Sequence, residues 1–335
     1  LTVDVTVPAV TINTVAGDDV INLAEHSQAH IISGTATGAA AGDKVTVTIG
    51  GQTYTTVLDA AGNWSVGVPA SVISGLSDGS VTVTASVTDA AGNTGTGTHN
   101  VTVDTGLPSV SFNAISDDNV LNAVEKGQDL RVSGTSANLA EGTVVAVTLN
   151  GKNYTATTAA DGTWSLTVPA ADLAGLGEAN YILSASATNG VGNSVSNTAN
   201  LLVDTALPTV TINTVAGDNV INAAEVAAGQ TLSGKVANAE AGNTVTVTIG
   251  GNTYTATVQS DLTWSVNVPE SVLTALGNGD LTVSATVTNG HGNTGTGERE
   301  IAIDANLPGL RVDTVAGDNV VNSIEHAQNL IVTGS

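Results

Sequence analysis

Apolar and hydroxyl side chains alternate along most of the chain, as in KVTVTIG (44–50) and SVTVTASVT (80–88). A period of two turns one set of side chains toward a core and the other toward solvent, as in half-buried antiparallel strands. The first hundred residues contain such segments at 9–15, 29–37, 44–50, 53–58, 63–68, 80–88 and 96–103. Short strands at this density predict an all-β, immunoglobulin-like Greek-key β-sandwich, with a barrel as the alternative.

Two connections have recognisable turn residues. The third and fourth segments are joined by Gly50-Gly51, with Asn150-Gly151 and Gly250-Gly251 one and two hundred residues later. These residue types suit the primed turn of a tight hairpin. The segment PASVISGL (69–76) begins with proline and ends near glycine, which predicts a single helical turn.

The whole chain repeats with a period of 100 residues. Its seven prolines occupy two positions of the period, and the three tryptophans occupy one, as Trp64, Trp164 and Trp264. The period predicts domains at 1–104, 105–204 and 205–304 and a partial fourth repeat at 305–335, arranged as an extended rod. We expect the tryptophans to anchor the cores; stacking on a ligand is the alternative.

Charge narrows the possible partners. The 335 residues contain 30 Asp and Glu against 7 Lys and Arg, for a net charge of −23. Nucleic acid and anionic membrane surfaces would repel such a chain, whereas cations would be attracted. The sequence has no cysteine, which excludes disulfides and thiolate metal sites, and it has no apolar run long enough to span a membrane.

Carboxylates recur at one point of the period, which we call the acidic loop: GDDVINLAE (17–25) and its equivalents. Asn22 and Glu25 fit a capping box, in which an asparagine caps a helical turn and a glutamate three residues later bonds back to it. That pattern leaves Asp18 and Asp19 without an explanation, and a bound cation would supply one. The candidate ligands of the acidic loops are Asp18, Asp19, Asn22, Glu25, Asp117, Asp118, Glu125, Asp218, Asn222, Glu225, Asp318 and Glu325.

Strand order predicts which loops meet. The acidic loop should lie at the pole where the last strand ends, beside the linker VDTxLP and the last turn of the following repeat. Linker and last turn add the candidates Asp104, Asp204, Asp304, Asp89, Asn93, Asn189, Asn193, Asn289 and Asn293. These oxygen donors favour Ca²⁺, which takes six to eight oxygens, over Zn²⁺ or Mg²⁺. Capping and solvation are the alternative for the acidic loops, and backbone turn geometry is the alternative for the last turns, whereas we expect the linker to need no acid for its turn.

Catalysis has no support in the sequence. The five histidines do not recur in every repeat, and no nucleophile–base pair, phosphate loop or HExxH pattern is present. We therefore expect a protein that is not an enzyme.

The motifs VDTxLP, GDNVINxAE, GNWSVxVP and TDAAGNTGTG together resemble the bacterial Ig-like extender repeats of giant RTX adhesins. The resemblance implies a calcium-rigidified spacer, exported by type I secretion and retained at the bacterial outer surface, that projects a distal ligand-binding domain in biofilm or ice adhesion. Its partners would be neighbouring repeats of one monomeric chain. The alternative function is direct binding of a carbohydrate or host ligand. The second repeat departs from the pattern, and we expect Ser116 to replace the loop glycine.

Overall fold

The computed structural model describes residues 3–335. The first repeat contains eight strands and two helices: β1 (Ala9–Ile12), β2 (Val20–Asn22), α1 (Leu23–His26), β3 (His30–Thr37), β4 (Lys44–Ile49), β5 (Gln52–Val57), β6 (Asn63–Val68), α2 (Ala70–Ile73), β7 (Gly79–Thr88) and β8 (Thr94–Asp104). Every predicted strand is present within a few residues of its expected bounds, and the predicted helical turn is α2.

The next two repeats contain equivalent elements, except that a 3-10 turn replaces the first helix in the second repeat. The second has β9 (Ser109–Phe112), β10 (Val120–Leu121), a 3-10 turn (Glu125–Gly127), β11 (Leu130–Ala137), β12 (Val144–Leu149), β13 (Lys152–Thr157), β14 (Thr163–Val168), α3 (Ala170–Leu173), β15 (Ala179–Thr188) and β16 (Ser194–Val203). The third has β17 (Thr209–Ile212), β18 (Val220–Asn222), α4 (Ala223–Ala228), β19 (Gln230–Ala237), β20 (Thr244–Ile249), β21 (Asn252–Thr257), β22 (Thr263–Val268), α5 (Glu270–Leu276), β23 (Gly279–Thr288) and β24 (Thr294–Asp304).

Each repeat is a sandwich of a three-stranded and a five-stranded sheet. In the first repeat the strand orders are β1-β3-β6 and β2-β8-β7-β4-β5. All neighbours are antiparallel except β2, which runs parallel to β8. The immunoglobulin-like sandwich is therefore confirmed, whereas the short parallel strand β2 was not predicted.

The two sheets enclose a core of small aliphatic side chains around one tryptophan. Trp64, Trp164 and Trp264 are 3%, 2% and 1% exposed, so the predicted core role is confirmed. Gly34 in β3 makes room for the indole: a Cβ there would lie 2.0 Å from the Thr11 carbonyl oxygen and 2.5 Å from Trp64 Cζ2. Close backbone approach therefore requires glycine at this position.

The tight hairpins have the expected backbone. Gly50 and Gly51 have φ of 56° and 74°, as the central residues of a primed turn require.

Residues 305–335 carry little regular structure. They contain the 3-10 turns Val315–Gly317 and Glu325–Ala327 and one isolated bridge between Val312 and Gly334.

By internal contacts, the chain divides into two compact units. The first extends to Val203 without residues 121–124, and the second comprises Leu121–Val124 and Asp204–Ser335. Within residues 3–335, no helix is long and apolar enough to cross a membrane.

Replacing Gly34 with alanine should destabilise the first sandwich by about 2–4 kcal/mol, because the new methyl group would overlap a backbone carbonyl and the indole. Gly67→Ala in β6 is the matched control, since a Cβ at Gly67 meets no atom within 4 Å. Urea unfolding followed by tryptophan fluorescence measures both. Equal effects of the two substitutions would contradict the packing argument.

Candidate metal centre

The linker aspartates all close the same local turn. Asp104 Oδ1 accepts a hydrogen bond from the Gly106 N–H at 3.0 Å, and Asp4 Oδ1 accepts one from Thr6 N–H at 2.9 Å. Asp204 and Asp304 accept in the same way from Ala206 and Asn306. This is an Asx turn, so the expectation that the linker needs no acid for its turn was wrong.

The first acid of the acidic loop also accepts a backbone N–H. Asp18 Oδ1 accepts from Val20 at 3.0 Å. The equivalent bonds are Asp118 to Val120, Asp218 to Val220 and Asp318 to Val320, at 2.8, 2.9 and 2.9 Å. Local turn geometry therefore accounts for an oxygen acceptor here without a cation.

The next residue is a left-handed turn residue. Asp19 has φ of 65°, and its Oδ1 accepts from the Val15 N–H at 2.8 Å. Asn119, Asn219 and Asn319 hold the same conformation and accept the equivalent bond. Asparagine and aspartate tolerate this region better than other residues with a side chain.

The expectation for Ser116 was wrong. Ser116 is equivalent to Ala16, and both have positive φ, 50° and 56°. The residue at the glycine position is Asp117, with φ of 63° where Gly17 has 101°. The second repeat therefore places a carboxylate in a left-handed position that the first and third give to glycine.

The capping box is confirmed. Asn22 Oδ1 accepts from the N–H groups of Ala24 and Glu25, and Glu25 Oε2 accepts from the Asn22 N–H. Asn222 and Glu225 repeat the box on α4, and Asn322 and Glu325 form it in residues 305–335. Glu125 begins the 3-10 turn of the second repeat.

Strand β2 brings the cap and the linker together. In its parallel pairing with β8, Asn22 lies opposite Asp104, and Val20 lies opposite Thr102. Asp19 lies three residues before Asn22, about 10 Å along an extended strand. There its Oδ1 contacts His99 Nε2 at 2.7 Å rather than the linker. Asn22, Glu25 and Asp104 are thus brought together, whereas Asp18 and Asp19 lie farther from the linker.

Asn193, in the last turn of the second repeat, completes this group. Its Oδ1 accepts from the N–H of Leu23, the first residue of α1, at 2.8 Å. Its Nδ2 donates to the carbonyls of Asp104 at 2.9 Å and Gly106 at 3.2 Å. The side chain is nearly buried, with the residue 3% exposed. We call this set of three bonds the asparagine bridge.

Two of the three bonds of the bridge recur with Asn293. Its Oδ1 accepts from Ala123 N–H at 2.8 Å, its Nδ2 donates to the Asp204 carbonyl at 2.8 Å, and the residue is 1% exposed. Asn93 likewise donates to the Asp4 carbonyl, at 3.2 Å. Asp89, Asn189 and Asn289 support the turns, because Oδ1 of each accepts the N–H of Asn93, Asn193 or Asn293. Sequence reasoning placed these turns correctly but considered them only as ligands or turns. The signal for a bridge is that Asn93, Asn193 and Asn293 all keep an amide, whereas the equivalent positions four residues earlier hold an acid in the first repeat and an amide in the next two.

Among the candidate ligands, hydrogen bonds lower the pKa values of two carboxylates. The Val15 N–H, and then the His99 side chain, lower the pKa of Asp19 below its usual value. The Asn93 side chain is the largest cause of the lowered pKa of Asp89.

The side chains at this position are of the type that binds a hard cation, but they are too few to complete its coordination. Asp104 and Glu25 offer carboxylate oxygens, as Ca²⁺ requires, whereas the single side-chain oxygen of Asn22 already accepts two N–H groups in the capping box. Within residues 3–335, however, no group of three or more acidic or histidine side chains stands close enough to hold a metal ion. Calcium at this position would therefore need backbone carbonyls and water as further ligands.

Comparison with known proteins assigns a family. The model of the bacterial Ig-like domain matches residues 6–105. A solved structure from a 1.5-MDa bacterial ice-binding adhesin is 34% identical, covering 90% of this chain and 98% of that one, with a TM-score of 0.49. The Ca²⁺-stabilised adhesin with which an Antarctic bacterium binds ice is 37% identical over 99% of this chain and 83% of that one, with a TM-score of 0.48. The chain belongs to the bacterial Ig-like domain family.

Sequence identity over nearly the full length, not the superpositions, supports this assignment. A further similar structure is a tetra-tandem repeat from the extending region of a large adhesion protein, 29% identical over 98% of this chain and 87% of that one, with a TM-score of 0.33. A search of curated protein sequences finds no match.

Asn193→Ala should uncouple α1 and the 104 linker from the turn, because the substitution removes the partner of the Leu23 N–H and of the Asp104 carbonyl and leaves the Gly106 carbonyl only the 3.4 Å bond from Asn189 Nδ2. We expect a loss of about 2–3 kcal/mol and faster hydrogen exchange at the Leu23 amide. Asn93→Ala is the control, since within residues 3–335 the Asn93 hydrogen bonds reach only Asp4 and Asp89. Unchanged exchange at Leu23 in Asn193→Ala would contradict the bridge.

Asp19→Asn should reduce the acid sensitivity of the first sandwich. The folded-state pKa of Asp19 is lowered, so its charged form stabilises the fold above the ordinary value of 3.8, and this contribution is lost as the pH falls through the folded value. The asparagine keeps the turn bond but does not titrate, as at Asn119. Urea midpoints between pH 2 and pH 5 test this, and parallel curves for parent and variant would refute it.

Proposed function

We propose that this chain is an extender segment of a bacterial cell-surface adhesin, in which each hundred-residue repeat is one domain and Ca²⁺ stiffens the linkers between domains. The carrying observation is the asparagine bridge. It ties the start of α1, the 104 linker and the turn of the next repeat into one hydrogen-bonded group beside the carboxylates of Asp104 and Glu25. Kinship to an extending region of a large adhesion protein supports the same role.

A spacer must resist bending where its domains join. The bridge supplies some resistance, since the amide of Asn193 is almost fully buried and all its polar atoms are bonded. Yet the same place concentrates negative charge in a chain with a net charge of −23, and like charges in proximity oppose close packing. A divalent cation would remove that repulsion.

The residues that would hold the ion are Asp104 and Glu25, with equivalents at the other linkers. Asp104 uses Oδ1 and Glu25 uses Oε2 for backbone N–H groups, which leaves the other oxygen of each carboxylate for a cation. When bound, Ca²⁺ would supply charge neutralisation and a rigid set of oxygen contacts. The neighbour described as Ca²⁺-stabilised supports this choice of ion.

Direct ligand binding is less well supported. A sugar-binding surface needs an exposed aromatic side chain, and the two aromatics that do not recur are both engaged within the second repeat. Phe112 packs edge-on against Trp164 with ring centroids 5.4 Å apart, and the Tyr181 hydroxyl accepts the Gly177 N–H. A structural role without catalysis also fits the bacterial Ig-like domain family. The proposal includes export of the adhesin and its retention at the outer membrane.

Calcium removal tests the mechanism. At a concentration of about 100 times the dissociation constant, each occupied site adds about 2.7 kcal/mol to stability. We expect EDTA to lower the melting temperature by several degrees and to shorten the maximum dimension seen by small-angle scattering, because loosened linkers bend.

Asp104→Asn makes the test site-specific. The asparagine can still accept the Gly106 N–H but carries no charge, so calcium should stabilise the variant less than the parent. Asp59→Asn is the matched control, since Asp59 also accepts backbone N–H groups, from Ala61 and Asn63, in a turn away from the linker. Identical melting curves in calcium and EDTA for the parent chain would refute the calcium mechanism.

A further inference from the structure

The aspartates of the 104 and 204 linkers differ in their side-chain contacts. His291, in the last turn of the third repeat, places Nδ1 2.5 Å from Asp204 Oδ2. Asp204 Oδ1 accepts the Ala206 N–H at 3.1 Å, so both oxygens of this carboxylate are engaged. Asp204 is 24% exposed and His291 39%, so the contact is partly shielded from water.

The 104 linker has no such contact. The residue equivalent to His291 is Val191, whose side chain has no polar atom. Asp104 Oδ1 accepts the Gly106 N–H, and Oδ2 has no hydrogen-bond partner within residues 3–335. The two equivalent aspartates thus differ: Oδ2 of Asp104 is vacant, whereas Oδ2 of Asp204 is bonded to His291.

The Asp204 carboxylate determines which group donates in the hydrogen bond with His291. An ionised carboxylate only accepts, so Nδ1 must carry the hydrogen, and a neutral imidazole provides it in one of its two tautomers. A cation that binds Asp204 through Oδ2 would have to displace this N–H. At Asp104 no protein group has to be displaced.

We propose that His291 makes the 204 linker less dependent on calcium than the 104 linker: the imidazole N–H holds Asp204 where a cation would otherwise bind, so this linker binds Ca²⁺ more weakly and stays more ordered without it. This inference rests on the proposed calcium-binding function. It assigns a different metal requirement to two linkers of nearly identical sequence.

Hydrogen exchange resolved by mass spectrometry tests the two linkers in one molecule. In the full chain, protection of residues 103–107 and 203–207 is followed as Ca²⁺ is titrated at constant pH. We expect the midpoint at 203–207 to lie about tenfold higher in calcium, since a hydrogen bond to a charged group contributes roughly the free energy of a tenfold change. In EDTA, 203–207 should exchange more slowly than 103–107.

Two substitutions exchange the residues between linkers. His291→Val should lower the calcium midpoint at 203–207 about tenfold and leave 103–107 unchanged. Val191→His should raise the midpoint at 103–107. Equal midpoints in the parent chain, or an unchanged midpoint at 203–207 in His291→Val, overturn the inference.

Failure of the proposed function gives a different result. If neither segment gains protection from calcium, the linkers do not bind the ion and the proposed function is refuted. If both respond equally and the variants do not shift them, calcium binding stands and only the role of His291 is refuted.

Discussion

The group at the 104 linker depends on one buried amide. Asn193 accepts the Leu23 N–H with Oδ1 and donates to the Asp104 and Gly106 carbonyls with Nδ2. Among side chains of this size, asparagine has both an acceptor and a two-hydrogen donor. A carboxylate there would accept but could not donate, and an aliphatic side chain would do neither. Since unpaired buried polar groups are costly, the helix start, the linker and the turn keep one relative arrangement only while this amide is present.

The sandwich was readable from sequence because its signals are local. Period-two alternation placed all seven long strands, and the glycine pairs and the proline at 69 identified their turns. Strand β2 escaped notice because three residues are too few to show a period, and its partner β8 lies about eighty residues away. The capping box could be predicted because all its hydrogen bonds lie within four residues of sequence.

The site could be predicted only in part. Loop order correctly placed the last turn of the second repeat beside Asp104, but distance along the strand could not be judged without β2, so Asp18 and Asp19 were placed nearer the linker than they are. The acidity of Asp18 and Asp19 suggested a bound cation, because residue type alone does not show that a carboxylate accepts a backbone N–H. The structure gives Asp18, Asp19 and Asp104 such partners, which limits the oxygens left for any ion.

The groups that Asn193 recognises are all main-chain atoms: one N–H and two carbonyls. Any repeat that presents the same backbone at its helix start and linker offers the same partner, whatever its side chains. Copies of the unit could therefore be duplicated, deleted or reordered by recombination without new contacts having to evolve at each joint. A gene built of such units can change the reach of its product in steps of one repeat.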